Sequence, residues 1–424
     1  RQRQMCIRDR YSRRRSGKIL VPFSPESLLS GCDFRLESGE TLWYERTFTL
    51  PEGFRRDRVL LHFGAVGQTA TVWCNGVELA THTGGYLPFT VDITEVLAKE
   101  NTILVCVRDA TNKSQLPRGK QTLHPHGIWY TPQSGIWQTV WLESVPQNYI
   151  RSLHVTPLFD AHQVEITVEG EGQCMIDLEG KRFTFPAGVP AHVPVQSFRP
   201  WSPEHPTLYP FSVTLGDDTV YSYFAMRKCS VETDKDGVRR LFLNGKPYFH
   251  NGLLDQGYWP DGLYTAPSDD ALVYDIQLAK DMGFNMLRKH IKVECDRWYY
   301  HCDRLGMLVW QDMPSGDENP RWIPDRWFDD RELVRSAASE EAFRREWRGI
   351  KDTAYDFYEW ARMWGMLLMT FSKDLVPALN ATLYYRWMVS YFCCHSFMDK
   401  NTMGMRGYNL RMSHELIYCM YRFV

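Results

Sequence analysis

LFLNGKPYFHNGLLDQ (241–256), SDDALVYDIQLAKDMG (268–283), FNMLRKHI (284–291), ECDRWYYHCDRLG (294–306) and MLVWQDMP (307–314) alternate between two hydrophobic periods. The first, third and fifth segments are short and apolar and read as strands, whereas the second and fourth space their apolar residues as helices do. In 268–283, Leu272, Ile276 and Ala279 fall on one helix face. Ser268 stands at the capping position, Asp269 and Asp270 occupy the first turn, and Gly283 ends the element. Strands alternating with helices predict a parallel sheet of βαβ units. Three strands of a (β/α) barrel are readable here, and a closed barrel needs eight.

Period two places Met286, Arg288 and His290 on one face of their strand and Leu287 and Lys289 on the other. Leu308, Trp310 and Asp312 likewise share a face. Barrel folds build their sites at the C-terminal ends of the strands. Arg288, His290, Trp310 and Asp312, joined by Asp255 and Gln256 from the first strand, therefore form a candidate pocket. An aromatic plane for an apolar ring face and charged groups for hydroxyls suit a sugar. Taken singly, Arg288 and Asp312 read as a strand-end ion pair and His290 as a core residue; the convergence of the set favours a ligand. Tyr258 and Trp259 read equally as lid or packing. A catalytic pair of Asp255 with Asp312 is less expected than a charge-balancing role beside Arg288.

Upstream, residues 28–145 keep period two between turn signals, the pattern of an antiparallel sandwich. Leu42, Tyr44, Phe48 and Leu50 share one face, opposite Glu45, Thr47 and Thr49; Val59, Leu61 and Phe63 share another. Asn75-Gly76 between alternating runs is a strong hairpin signal. HQVEITVEG (162–170) and HPTLYPFSVTL (205–215) mark a second all-β segment. Trp129, Tyr130, Trp137 and Trp141 are sugar platforms or, by period two, core residues in part. His124 and His126 lack a carboxylate partner and make a poor metal site. The fold class expected is multidomain β plus α/β.

The chain has 424 residues, formal net charge −2 and eleven cysteines, with pI near 6.7 and mean hydropathy −0.40. Balanced charge argues against a nucleic-acid partner, and the absence of a long apolar run argues against an ordinary membrane span. The cysteines form no Cys-x-x-Cys pair, so neither zinc nor a disulfide framework is indicated. Cys295 and Cys302 are expected as small core residues of one helix. Reduced thiols favour the cytoplasm, with export left open by the N-terminus. Residues 1–17 are basic and lack the apolar core of a signal peptide; they resemble translated adapter sequence or a disordered arm. Residues 351–424 hold no sustained period and read as an aberrant tail, as a shifted frame produces.

The segments WYERTFTLP (43–51), GGYLPFTVDIT (84–94), SGIWQTVWLE (134–143), LNGKPYFHNG (243–252), FNMLRKHI and CDRLGMLVWQDMP (302–314), in this order and with the Asn75-Gly76 hairpin, resemble glycoside hydrolase family 2, the group of β-galactosidases, β-glucuronidases and β-mannosidases. The resemblance covers about residues 28–350. It implies a jelly-roll sugar-binding domain (18–147), an immunoglobulin-like sandwich (148–230) and the N-terminal part of a (β/α)8 TIM barrel (231–350).

The family's reaction is a retaining hydrolysis by two glutamates, the acid/base in an Asn-Glu pair ending the fourth barrel strand and the nucleophile ending the seventh. FRREWRGIKD (343–352) resembles the helix before that fourth strand, and no Asn-Glu dipeptide occurs in the chain. Neither glutamate is assignable, so the expectation is an exo-β-glycosidase fragment, inactive as it stands. By the resemblance, Arg288 matches the arginine that holds the nucleophile's carboxylate, His290 a substrate-contacting histidine and Asp312 an acidic strand-end position. Gln256 stands where galactosidase-like members often carry histidine. The implied partner is a β-linked oligosaccharide or glycoside, with no organic cofactor and a homo-oligomer open for the complete form. A divalent metal of some relatives has its ligands outside the matched part. The alternative is a non-catalytic carbohydrate-binding protein working through its sandwiches.

Overall fold

The computed structural model describes residues 4–7, 17–32, 34–314 and 336–353. Apart from 4–7, Gly17 and 351–353, the expected arm (1–17) and tail (351–424) lie outside the described residues.

The first sandwich pairs two antiparallel sheets. One runs in the order Gly17–Leu20, Gln4–Ile7, Leu42–Phe48, Asn101–Arg108, Thr69–Cys74, Val77–Thr83, and the other is Phe89–Asp92, Arg58–Phe63, Val140–Val145. Gln4–Ile7 belongs to the segment expected to stay outside the fold. It pairs with Gly17–Leu20 and with Leu42–Phe48, because a backbone ladder requires only an open edge. The core between the sheets takes Leu42, Tyr44, Val72 and Val105 from one side and Val59, Leu61, Phe63 and Val91 from the other. Each such side chain contributes about 1.5–3 kcal/mol by leaving water. Phe48 and Leu50 pack at the margin of the same core. The expected hairpin forms at Asn75 (φ 50°) and Gly76 (φ 83°), the doubly left-handed turn that suits the twist of the flanking strands.

A second sandwich stacks Ser152–Leu158, Gln163–Glu169 and Ala191–Pro194 on a four-stranded sheet in the order Lys181–Pro186, Gln173–Leu178, Tyr209–Leu215, Asp218–Phe224. Val164, Ile166, Val168 and Val193 meet Ile176, Phe211, Val213 and Phe224 in its core.

Residues 228–250 belong to a separate unit that contains an antiparallel meander of Cys229–Thr233, Arg239–Leu243 and Lys246–Pro247. The segment 241–256 is therefore not one strand. Asn244 (φ 53°) and Gly245 (φ 74°) reverse the chain, and the parallel strand begins only at Gly252.

The parallel sheet is Gly252–Asp255, Met286–Lys289 and Leu308–Gln311, with Leu254, Arg288 and Trp310 in register. Helix α1 (Asp269–Asp281) is capped by the Ser268 hydroxyl, which accepts from the Ala271 amide at 3.2 Å. Helix α2 (Asp296–Leu305) ends at Gly306 in the left-handed region. Leu272, Ile276 and Ala279 of α1 pack with Leu287, Trp298 and Cys302. Cys295 caps α2 rather than lying within it. It and Cys302 are free thiols. Helix α3 (Ala337–Thr353) buries Ser339, Ala342, Phe343 and Glu346. Gly349 lies against Leu87, and any side chain on Gly84 would collide with Glu346.

Candidate functional site

Asp255, Lys289 and Gln311 end the three parallel strands, and His290 and Asp312 follow immediately. Their amides continue the ladder, His290 donating to the Asp255 carbonyl at 2.8 Å and Asp312 to the Lys289 carbonyl at 2.9 Å. The polar side chains are thereby fixed by backbone geometry.

Arg288 grips Asp312 with two bonds, Nε to Oδ1 at 3.0 Å and Nη2 to Oδ2 at 2.8 Å. His290 Nδ1 lies 2.5 Å from the same Oδ2. All three residues are buried. Burial would raise the Asp312 pKa, but Arg288 and His290 beside it hold it below the ordinary aspartate value. Burial lowers the His290 pKa against the pull of Asp312. The Asp312 carboxylate thereby fixes the orientation of the His290 ring. Trp310, in register with Arg288, is half-buried, as is Gln256.

Asp255 does not join this cluster. Its Oδ2 accepts from Lys289 Nζ at 2.8 Å, and Lys289 also reaches Glu294 at 3.2 Å. Glu294 in turn holds Lys292 at 2.7 Å, and Lys292 donates to the carbonyls of Gly257 (2.7 Å) and Tyr264 (2.8 Å). Lys289 Nζ sits 3.9 Å from the centre of the Trp298 ring, a favourable place for a desolvated cation. Burial would lower the Lys289 pKa, yet Asp255 and Glu294 hold it above the usual lysine value. Asp255 is drawn away because Lys289, on the opposite face from Arg288, is long enough to reach it.

A loop of the first sandwich reaches the same strand ends. Tyr258 donates its hydroxyl to the Thr131 carbonyl at 2.7 Å and packs on Tyr130 at 4.8 Å between ring centres. A side chain on Gly119 would collide with the Tyr264 hydroxyl and the Ile291 carbonyl, and Ile291 directly follows His290. Next to it, Lys120 is 6 % exposed. Burial brings its pKa down to about 8, with Arg288 adding to the effect and Asp312 opposing it.

The remaining aromatic candidates separate by burial. Trp137 is a core residue that donates its indole N–H to the Gly85 carbonyl at 2.9 Å. Trp259 packs at the edge of the helix–sheet core. Trp129 and Tyr130 are half-buried, whereas Trp141 is 42 % exposed and stacks on His62 at 4.8 Å. His126 Nδ1 bonds the His124 carbonyl at 2.6 Å. Among the described residues no group of three or more His, Cys, Asp or Glu could hold a metal, and no helix is long and apolar enough to cross a membrane.

A family described as "Glycosyl hydrolases family 2, sugar binding domain" matches residues 30–146. A β-glucuronidase of Paenibacillus borealis is 28% identical over 323 residues, which span 70% of this chain and 53% of the relative. A β-galactosidase of Thermoanaerobacter pseudethanolicus is 27% identical, over 68% of this chain and 41% of its own length. The solved β-glucuronidase of an uncultured Clostridium superposes with a TM-score of 0.66 at 21% identity, covering 83% of this chain and 64% of that one. Residues 30–146 carry the sugar-binding domain of glycoside hydrolase family 2, and most of the chain is similar to β-glucuronidases and β-galactosidases. The chain spans about half the length of the curated relatives it matches.

Lys289, Lys292, Glu294 and Lys120 escaped the sequence reading. The run RKHIKVE (288–294) carries the first three, whose pairing depends on side-chain reach rather than on period two. For Lys120 no local signal exists.

Proposed function

We propose that this chain is the sandwich-and-strand portion of a retaining exo-β-glycosidase acting on β-linked glycosides. The first sandwich is read as a jelly roll, the second as immunoglobulin-like, and the parallel sheet as the first three strands of a (β/α)8 barrel. The observation that carries the reading is Arg288, His290 and Asp312 converging at the C-terminal ends of successive parallel strands, the location of barrel active sites.

In a retaining mechanism one carboxyl protonates the leaving oxygen and a second, about 5 Å away, attacks the anomeric carbon. Arg288 is suited to keeping such a nucleophile ionised, and His290, oriented by Asp312, to contacting a sugar hydroxyl. Asp312 is occupied by both neighbours, so its role is to orient them. The chain has no Asn-Glu pair, and binding without turnover is the proposal for the 424 residues as they stand.

The test mixes the purified chain with nitrophenyl β-glucuronide, β-galactoside and β-mannoside. Saturable binding without nitrophenol release is expected. Turnover by pure protein would overturn the claim that the catalytic pair is missing, and no binding would overturn the site. The exposed Trp141 supports a second reading, carbohydrate binding by the sandwich surface alone. Glycoside binding that survives Arg288→Met but not Trp141→Ala would favour it.

A further inference from the structure

We infer that α3 is a proton-operated latch on the first sandwich, seated on the Gly84–Pro88 loop while the Glu346 carboxyl is neutral and loosened as that carboxyl ionises.

Ser339, Ala342, Phe343 and Glu346 follow the i, i+3, i+4, i+7 spacing and are all buried. Glu346 therefore stands where an apolar residue would complete the stripe. Its carboxyl lies against Gly84, a residue at φ 130° with no room for a Cβ. Three residues on, Gly349 meets the Leu87 side chain. Among the described residues neither Glu346 oxygen has a hydrogen-bond partner.

The loop is the fixed half of the latch. The Gly85 carbonyl accepts from the Trp137 indole at 2.9 Å. The Tyr86 ring meets Trp137 edge-on, and the Tyr86 and Tyr264 hydroxyls are 3.3 Å apart. The helix is the half that moves, because ionisation of its seated carboxyl changes the balance. A neutral carboxyl in the seat gives up only hydrogen bonds to water, whereas a carboxylate gives up the hydration of an ion with no paired cation in return.

The neighbouring groups do not offset that loss. Burial brings the Glu346 pKa up to about 7, although Arg345, next to it on α3, and the Gly85 backbone favour the anion. Tyr86 on the loop is kept protonated by burial. Burial lowers the His82 pKa, with Arg345 adding to the effect. Glu340 and Arg344 of α3 pair with each other at 2.8 Å. A raised carboxyl pKa leaves the seat at full strength below about pH 4.3; it weakens as pH rises and levels off above 7. His82, with its lowered pKa, works in the opposite sense and weakens the sandwich on acidification.

The experiment follows hydrogen–deuterium exchange of the full chain by mass spectrometry from pH 5 to 8, corrected for the intrinsic pH dependence of exchange. Protection of the α3 amides is expected to fall by roughly fiftyfold to a hundredfold over that range, while α2 keeps its protection. Glu346→Gln, neutral and nearly the same shape, should hold α3 protected at both ends of the range. Equal protection of α3 at pH 5 and pH 8, or the same fall in Glu346→Gln, overturns the inference. A fall of α2 in step with α3, abolished together by Glu346→Gln, makes Glu346 a determinant of global stability and overturns the latch as well. Should Glu346→Gln not fold, as judged by near-ultraviolet circular dichroism, the contrast between α3 and α2 in the unaltered chain decides.

Discussion

Arg288 and Lys289 are neighbours on one strand, yet they serve two different charge clusters. Arg288 meets a single carboxylate, Asp312, that it shares with His290. Half-buried Trp310 stands beside it and the Lys120 loop reaches in. Lys289 lies against the Trp298 ring and meets two carboxylates, Asp255 and Glu294, and Lys292, against the Tyr264 ring, closes the set. Period two alone separates them. On the proposed function, ion pairs of the same chemistry do separate jobs: the sealed cluster ties the loop at Gly257 and Tyr264 to the sheet, and the cluster at the strand ends is the one proposed to meet substrate.

The largest expected effect breaks the sealed cluster. Lys289→Ala leaves Asp255 and Glu294 without their shared cation, and removal of one partner from a buried pair costs about 3–5 kcal/mol. Urea denaturation should show it as a lower midpoint. A loss under 1 kcal/mol would mean the sealed cluster is not what holds the loop.

A buried carboxylate without such a cation behaves in the opposite way, which sharpens the contrast. Glu346 on α3 is fully buried against Gly84, and burial pushes its pKa up to about 7 despite Arg345. A raised carboxyl pKa means the stability it contributes is complete below about pH 4.3 and is lost as pH rises through 7. Glu346→Gln should therefore stabilise the protein by about 3 kcal/mol at pH 8 and change little at pH 4. Asp312 and Asp255, held low, run the other way: their contribution is intact above about pH 4 and lost as pH falls further. Denaturation midpoints of the variant and parent across pH 4–8 test both signs.

Arg288→Met comes next, with an expected loss of roughly 2–3 kcal/mol. It is smaller than at Lys289 because Asp312 keeps His290 as a partner. Its distinguishing readout is glycoside binding, which it should abolish, whereas Lys289→Met should spare binding in whatever fraction stays folded. Equal effects on binding from both would erase the division between the clusters.

Period two made much of this legible. Leu42, Tyr44, Val59, Leu61 and Phe63 fell on the core faces because a half-buried strand leaves an alternating trace, and Arg288, His290 and Asp312 because parallel register aligns successive strand ends. The reading failed where a long side chain decides. Lys289 captured Asp255 from across the strand, and Lys120 arrives from a loop distant in sequence. Glu346 lies on the same helix face as Ser339, Ala342 and Phe343, but a glutamate in that position reads as solvent-exposed. The segment 241–256 reads as one strand by its apolar residues, yet Asn244-Gly245 within it turns the chain back between antiparallel partners.

The smallest effect tests how firmly the two contributors to the mouth are joined. Tyr258 is kept protonated by burial, its pKa pushed far above neutral, so its hydroxyl is a standing donor to the Thr131 carbonyl at 2.7 Å. Tyr258→Phe removes that bond and nothing else of the ring, at a cost of about 1 kcal/mol. If the bond also holds the Thr131 loop in place, glycoside affinity should fall by about two- to threefold. Lost stability with unchanged glycoside affinity would assign the loop's placement to the Gly119 contact with Ile291 and Tyr264 instead.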